Sequence, residues 1–267
     1  MTDVLMTRPD SGSKHGVILH RFSHAEYERL LRCGAIGRHD PVELVNGLLA
    51  LRTGAQPPYG ISVGIPPEIL WGGERLPERR PLRRLTVPEL DKLVNAGVLA
   101  HSSRFELAEG WVVDKMVRNP KHDSTLQRVI VALTRAMPSG YILRSQMSVT
   151  LDESKYEPDA AIVPGPLERY DDRHPTSAEV LLLVEVAHST LQFDRGIKLR
   201  SYARNSIEDY WLINLVKDCV EVYTQPSGPT SQPEFASCVK FVRGQKIALV
   251  RGKQKMLEVA VGDLLRG

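Results

Sequence analysis

Two stretches of this chain carry the same pattern of apolar and polar positions. "RFSHAEYERLLRCGAIGRHDPVELVNGLL" (Arg21 to Leu49) aligns without a gap to "RLTVPELDKLVNAGVLAHSSRFELAEGWV" (Arg84 to Val112). Glu26, Leu30, Gly34, Glu43, Leu44 and Gly47 find their matches in Glu89, Leu93, Gly97, Glu106, Leu107 and Gly110. In each copy the spacing predicts a helix opened by Ser23 or Thr86, with Glu26 or Glu89 three residues on. In that reciprocal cap, hydroxyl and carboxylate satisfy two otherwise free backbone N–H groups. Gly34 and Gly97 are natural stops, because glycine takes the left-handed backbone of a helix end without steric cost. A short strand carrying a Glu-Leu pair follows in each copy. Two copies are too few for a solenoid, so the pattern reads as a partial duplication. The stretch between the copies is dense in Pro and Gly and reads as a linker; its end is basic, with Arg75, Arg79, Arg80, Arg83 and Arg84.

From Arg104 onward the pattern becomes regular. "RFELAEGWVVDKMV" predicts a hairpin, and "DSTLQRVIVALTRAM" a helix with Leu126, Ile130, Leu133 and Met137 on one face. "YILRSQMSVTL" and "EPDAAIVP" read as strands. "AEVLLLVEVA" is a nearly unbroken apolar run, the mark of a strand buried on both faces. "STLQFDRGIKLRSYARN" reads as a helix capped by Ser189 or Thr190, and "DYWLINLVKDCVEVYTQ" as two strands turning near Lys217 and Asp218. Alternation of helices and strands around a central apolar strand points to an α/β or α+β layer fold.

Composition adds limits. The 267 residues, 42% apolar and 25% charged, suit one large globular domain or one with an appendage. Lys and Arg exceed Asp and Glu by only 35 to 32, which neither demands nor forbids a nucleic-acid partner. Cys33, Cys219 and Cys238 are too scattered for a metal or disulfide framework. No apolar run reaches the ~18 residues that span a bilayer, and the first residues lack the apolar region of a signal peptide. No membrane partner and a cytoplasmic location are therefore expected.

Two carboxylates interrupt apolar strands: Asp159, with Pro158 stiffening the strand entry, and Glu185 in "LLLVEVA". An ionised group there is expensive unless it is paired or bound to a metal. If the strands are neighbours, Asp159 and Glu185 converge on one cation, and two carboxylates with waters suit Mg²⁺; salt bridges at a sheet rim are the plainer reading. Ala187 shares the strand face of Glu185 and leaves room beside it. On the next helix Asp194, Lys198 and Tyr202 form one stripe, so Lys198 can lean over that gap or simply pair with Asp194. His122 stands just before a helix, either as a flanking residue or as part of the site.

The series "FELAEG", His122, "YEPD", "LLLVEVAHSTLQFDRGIKLRSYA" and "IEDYWLINL" resembles the PD-(D/E)XK nuclease superfamily, and more narrowly its Uma-two family of restriction-endonuclease-like proteins, from about Leu85 to the C-terminus. The resemblance implies an α/β fold, a restriction-endonuclease-like mixed β-sheet flanked by helices. Residues 84–267 would form the nuclease domain, and residues 1–83 a tail, the N-terminal partial repeat and the linker. The acid–acid–lysine set falls on Asp159, Glu185 and Lys198, with Glu106 as the upstream carboxylate; the superfamily's usual lysine position is Ala187 here, with the lysine moved to the following helix. The implied function is divalent-metal-dependent hydrolysis of phosphodiester bonds. Mg²⁺ or Mn²⁺ would sit on Asp159 and Glu185, DNA is the expected nucleic-acid partner, and a homodimer is left open. The alternative is a catalytically silent nuclease-fold binding module. Rival motifs fail on context: "GISVG" at Gly60 to Gly64 is framed by prolines rather than by a strand and a helix. His20 and His24 lack a third ligand and read as surface histidines, and no phosphate-cradling Gly-x-x-x-x-Gly-Lys loop is present.

Overall fold

The computed structural model describes residues 17–52, 69–70, 81–99, 105–115 and 118–265. The duplicated pattern forms duplicated structure. In the first copy, strand β1 (Val17–Leu19) leads into helix α1 (His24–Arg32) and the hairpin β2 (Val42–Val45)–β3 (Leu48–Leu51). After the short strand β4 (Ile69–Leu70), the second copy repeats this with α2 (Val87–Asn95), β5 (Phe105–Ala108) and β6 (Trp111–Asp114). Both helices carry the full reciprocal cap, Ser23 with Glu26 and Thr86 with Glu89. Both hairpins turn through two left-handed residues, Asn46-Gly47 and Glu109-Gly110, the backbone that matches the twist of the flanking strands.

Next come helix α3 (Pro120–Ala136), strands β7 (Tyr141–Arg144), β8 (Val149–Thr150), β9 (Lys155–Tyr156) and β10 (Ala160–Pro164), and the central strand β11 (Leu182–Ala187). A helical crossover follows: α4 (Leu191–Phe193), a π-helical turn over Asp194–Lys198, and α5 (Leu199–Arg204). Strands β12 (Asp209–Asn214), β13 (Cys219–Pro226), β14 (Phe235–Phe241), β15 (Lys246–Arg251) and β16 (Gln254–Ala260) and helix α6 (Val261–Leu264) complete the described chain.

The main sheet is mixed and six-stranded, in the order β14-β13-β12-β11-β10-β7. Only β11 and β12 run parallel, and the crossover helix makes that connection, since parallel neighbours cannot be joined by a tight turn. Every residue of β11 is buried. Its side chains divide between two cores. Val184 and Val186 face α3, α6 and the β15–β16 hairpin, while Leu183 and Ala187 face the crossover helix and the second sheet. That second sheet has the order β4-β1-β6-β5-β9-β8. It takes strands from both sides of Arg84, so a division at that residue runs through one sheet and one shared core.

Several local expectations change. Helix α3 begins at Pro120 with Asn119 as its cap, which puts His122 inside the first turn; Asn119 Oδ1 accepts from the His122 N–H at 3.0 Å. Thr190 is the N-cap residue of the crossover helix, but its side chain makes no capping bond: the hydroxyl instead donates to Asp194 Oδ2 at 2.6 Å. His20 is no surface residue; its Nδ1 lies 2.8 Å from Asp114 Oδ1, largely covered. Arg83 and Arg84 are engaged within the chain, Arg83 with Glu89 and Arg84 with Glu153. Arg75, Arg79, Arg80 and the "GISVG" motif lie outside the described residues.

Candidate active site

Strands β10 and β11 are antiparallel with Ala160 opposite Val184, so the next pair outward is Asp159 opposite Glu185. Opposed residues share one face, with Cβ atoms about 5 Å apart. The two carboxylates singled out from the sequence therefore project together from the end of the ladder. Both are buried, and both line one cleft. Glu106 reaches the same cleft from β5 of the second sheet, and Lys198 from the crossover helix. The structure thus brings Glu106, Asp159, Glu185 and Lys198 into one place. Glu43, the twin of Glu106, does not line this cleft.

Lys198 is the centre of the charge network. Its Nζ donates to Glu185 Oε1 at 2.7 Å and lies 3.5 Å from Glu106 Oε1 and 3.7 Å from Asp194 Oδ1. Asp194 and Lys198 lie at i,i+4 within a π-helical turn, and such turns recur at functional sites. Tyr202, one turn on, donates its hydroxyl to Glu185 Oε1 at 2.9 Å. Lys198 thus bridges Asp194 and reaches Glu185 at the same time.

Asp159 is held from three sides. Its Oδ2 accepts from the Val186 N–H at 2.8 Å and lies 3.1 Å from His122 Nε2, and Gln146 Nε2 reaches Oδ1 at 3.4 Å. Glu106 Oε1 accepts from the Glu157 N–H at 2.8 Å and lies 3.1 Å from Lys115 Nζ.

Burial penalises every charge here, and partners decide which charges survive. For Asp159 the His122 hydrogen bond, then the Val186 N–H, outweigh burial and hold the carboxyl below its ordinary value. Glu106 is also held low, against burial, by Lys115 and then Lys198. Burial pushes Glu185 up to about 8: Lys198 pulls it down, but Asp194, Asp159 and Glu106 oppose a further anion. Asp194 is pushed up to about 6, again first by burial. Burial would lower Lys198, but Glu106, Glu185 and Asp194 raise it well above the usual lysine value, so it stays cationic. His122 is raised, despite burial, by Asp159. Four carboxylates, Glu106, Asp159, Glu185 and Asp194, thus share one cleft with Lys115, Arg118, Lys198 and His122.

Two participants were missed or left undecided in the sequence. Lys115 was missed, although the hairpin register points to it. Val113 lies opposite Glu106, so Lys115, two residues on, shares that face. His122 needed the three-dimensional approach of α3 to β10, which no local pattern reports.

A mixed sheet with helices on its faces and an acid–acid–lysine cluster at the end of two central strands defines a restriction-endonuclease-like protein. The sequence profile of the Uma2 family, described as "Putative restriction endonuclease", matches residues 87–253, and the chain belongs to that family. Among solved structures it is similar to "a putative nuclease belonging to DUF820 from Anabaena variabilis ATCC 29413", with a TM-score of 0.51 and 17% identity over 67% of this chain and 97% of that one. At that identity the likeness speaks for the fold. No curated protein matches the chain. No helix among the described residues is long and apolar enough to cross a membrane.

Proposed function

We propose that this member of a nuclease family hydrolyses phosphodiester bonds of DNA with the help of a divalent cation, Mg²⁺ or Mn²⁺. The observation that carries the reading is the opposed pair Asp159 and Glu185 at the cleft, with Glu185 pushed up to about 8 by burial and then by the neighbouring carboxylates. Among the described residues no three His, Cys, Asp or Glu side chains stand together as a ligand group. Mg²⁺ does not need three, since it binds through one or two carboxylates and keeps waters and substrate oxygens. Asp159 and Glu185 would hold it. Val186 turns its N–H to Asp159, and a strand residue's carbonyl points the same way as its N–H, so that carbonyl is a further donor. This all-oxygen set fits a hard cation. When bound, the cation supplies Lewis-acid polarisation and eases deprotonation of water.

The chain's own groups do the rest. Lys198 keeps its charge and faces the developing negative charge of the phosphate. Glu106, anionic and tied to Lys115, orients the attacking water or supports the cation site. In the net reaction, water oxygen bonds to phosphorus, one P–O ester bond breaks, and the departing sugar oxygen takes up a proton. Lys115, Arg118, His122 and His188 line the cleft, and a phosphate backbone would be drawn to that basic rim. Calorimetry tests the metal site: Asp159→Asn with Glu185→Gln is expected to abolish Mn²⁺ binding while the fold persists, and unchanged affinity would sink the assignment. A cleavage assay across several metals with single- and double-stranded DNA and RNA tests the substrate.

A further inference from the structure

The family match begins at residue 87, after the first copy of the repeat. The way the first copy is placed supplies a reason for it. Residues at matched positions of the two copies make the same contact in opposite directions. Arg29 Nη1 donates to the Gly97 carbonyl at 3.2 Å, and its counterpart Lys92 donates from Nζ to the Gly34 carbonyl at 3.3 Å. The His20 N–H donates to the Val112 carbonyl at 2.9 Å, and its counterpart Arg83 does so to the Leu49 carbonyl at 2.8 Å. Leu19 pairs antiparallel with Val113, and Leu82 with Ala50. The matched pairs Leu30 and Leu93, Ile36 and Leu99, and Leu49 and Val112 share one core. This reciprocity is the signature of a two-fold isologous interface, with each copy's leading segment crossing to the other's hairpin as in an exchanged dimer. Here both halves belong to one chain.

We infer that the first copy is a built-in partner subunit: it fills the face and sheet edge of the second copy that a second chain would take, so one chain with one cleft is the working unit. The first copy also completes that cleft. Strand β1 pairs with β6, Val17 lines the cleft wall, and His20 holds Asp114 beside Lys115. A second chain docking through the same face would have to strip β1 from β6 and open the wall. The inference has a consequence that rests on the nuclease reading. One cleft addresses one strand, so each event breaks one P–O bond with one water and leaves a nick.

Two measurements on the full wild-type chain test this. Light scattering after size-exclusion, over a hundredfold range of concentration, is expected to give the one-chain mass of 29.8 kDa throughout. A two-chain mass overturns the inference. Supercoiled plasmid with Mg²⁺ or Mn²⁺ is expected to accumulate open circles first, at a rate proportional to protein. Linear product formed directly, at a rate rising with the square of protein, also overturns it. Mass is read without turnover. A one-chain mass with no cleavage by any metal would therefore count against the nuclease reading while upholding the built-in partner.

Discussion

At the residue scale, burial penalises every charge in the cleft and partners decide which ones survive. Lys198, Lys115 and His122 stabilise two anions, Glu106 and Asp159, and the remaining carboxylates Glu185 and Asp194 are driven toward the protonated form. The folded value of Glu185, about 8, lies above its ordinary carboxylate value. The folded state thus keeps a proton that the unfolded chain has already lost. That contribution to stability is complete below the ordinary value and disappears as pH rises through about 8. A cation in the same place compensates the exposed charge. The rise in Tm on adding Mg²⁺ or Mn²⁺ should therefore be larger at pH 8.5 than at pH 6, and Glu185→Gln should remove the difference. Equal rises at both pH values in the wild type would refute this. Lys198 makes no ligand bond, so Lys198→Ala should cut turnover by on the order of 10²–10³ while leaving Mn²⁺ affinity in place. Full activity in that variant would reduce the lysine to a partner of Asp194.

At the element scale, two local features of the backbone adjoin the site. One is the π-turn over Asp194–Lys198, which a regular helical reading of "FDRGIK" does not reveal, because a π-turn answers to what it packs against rather than to side-chain periodicity. The other is the pair of tight hairpin turns. Gly110 has φ +82°, and a Cβ there would come within 2.6 Å of Arg84 Cβ; Gly47 has φ +80° and the same conflict with Arg21 at 2.8 Å. Gly97 is also left-handed, at φ +64°, but has open space around it. Gly97→Ala should cost about 1–2 kcal/mol for the backbone alone. Gly110→Ala should cost more and also loosen Glu106 and Lys115 on the strands it joins. Denaturant unfolding of the two variants decides it: equal losses would mean that the close approach to Arg84 relaxes freely.

At the scale of the whole molecule, the two copies are matched in backbone and unequal in chemistry. Glu106 meets Lys198, Lys115 and the cleft, and Glu43 stands in the matching strand away from it. Glu43→Gln should leave DNA cleavage near the wild-type rate, and Glu106→Gln should lower it by on the order of 10². Equal losses would place both carboxylates at working sites. What the sequence alone determined is the material whose signal is local or short in period. The two capped helices, the Gly stops, the second hairpin, the doubly buried strand around Val184 and the two carboxylates that interrupt apolar strands were all legible there. Asp159 and Glu185 could be named because carboxylates inside apolar strands are anomalies in their own neighbourhood. Only the tertiary structure decided that those strands are adjacent in register, that His122 and Lys115 complete the charge network, and that the two copies cross to one another's hairpins. Periodicity tells a side chain which face it occupies. Which distant face it meets depends on how the two cores fill and which buried charges can be paired, and that balance exists only in the folded chain.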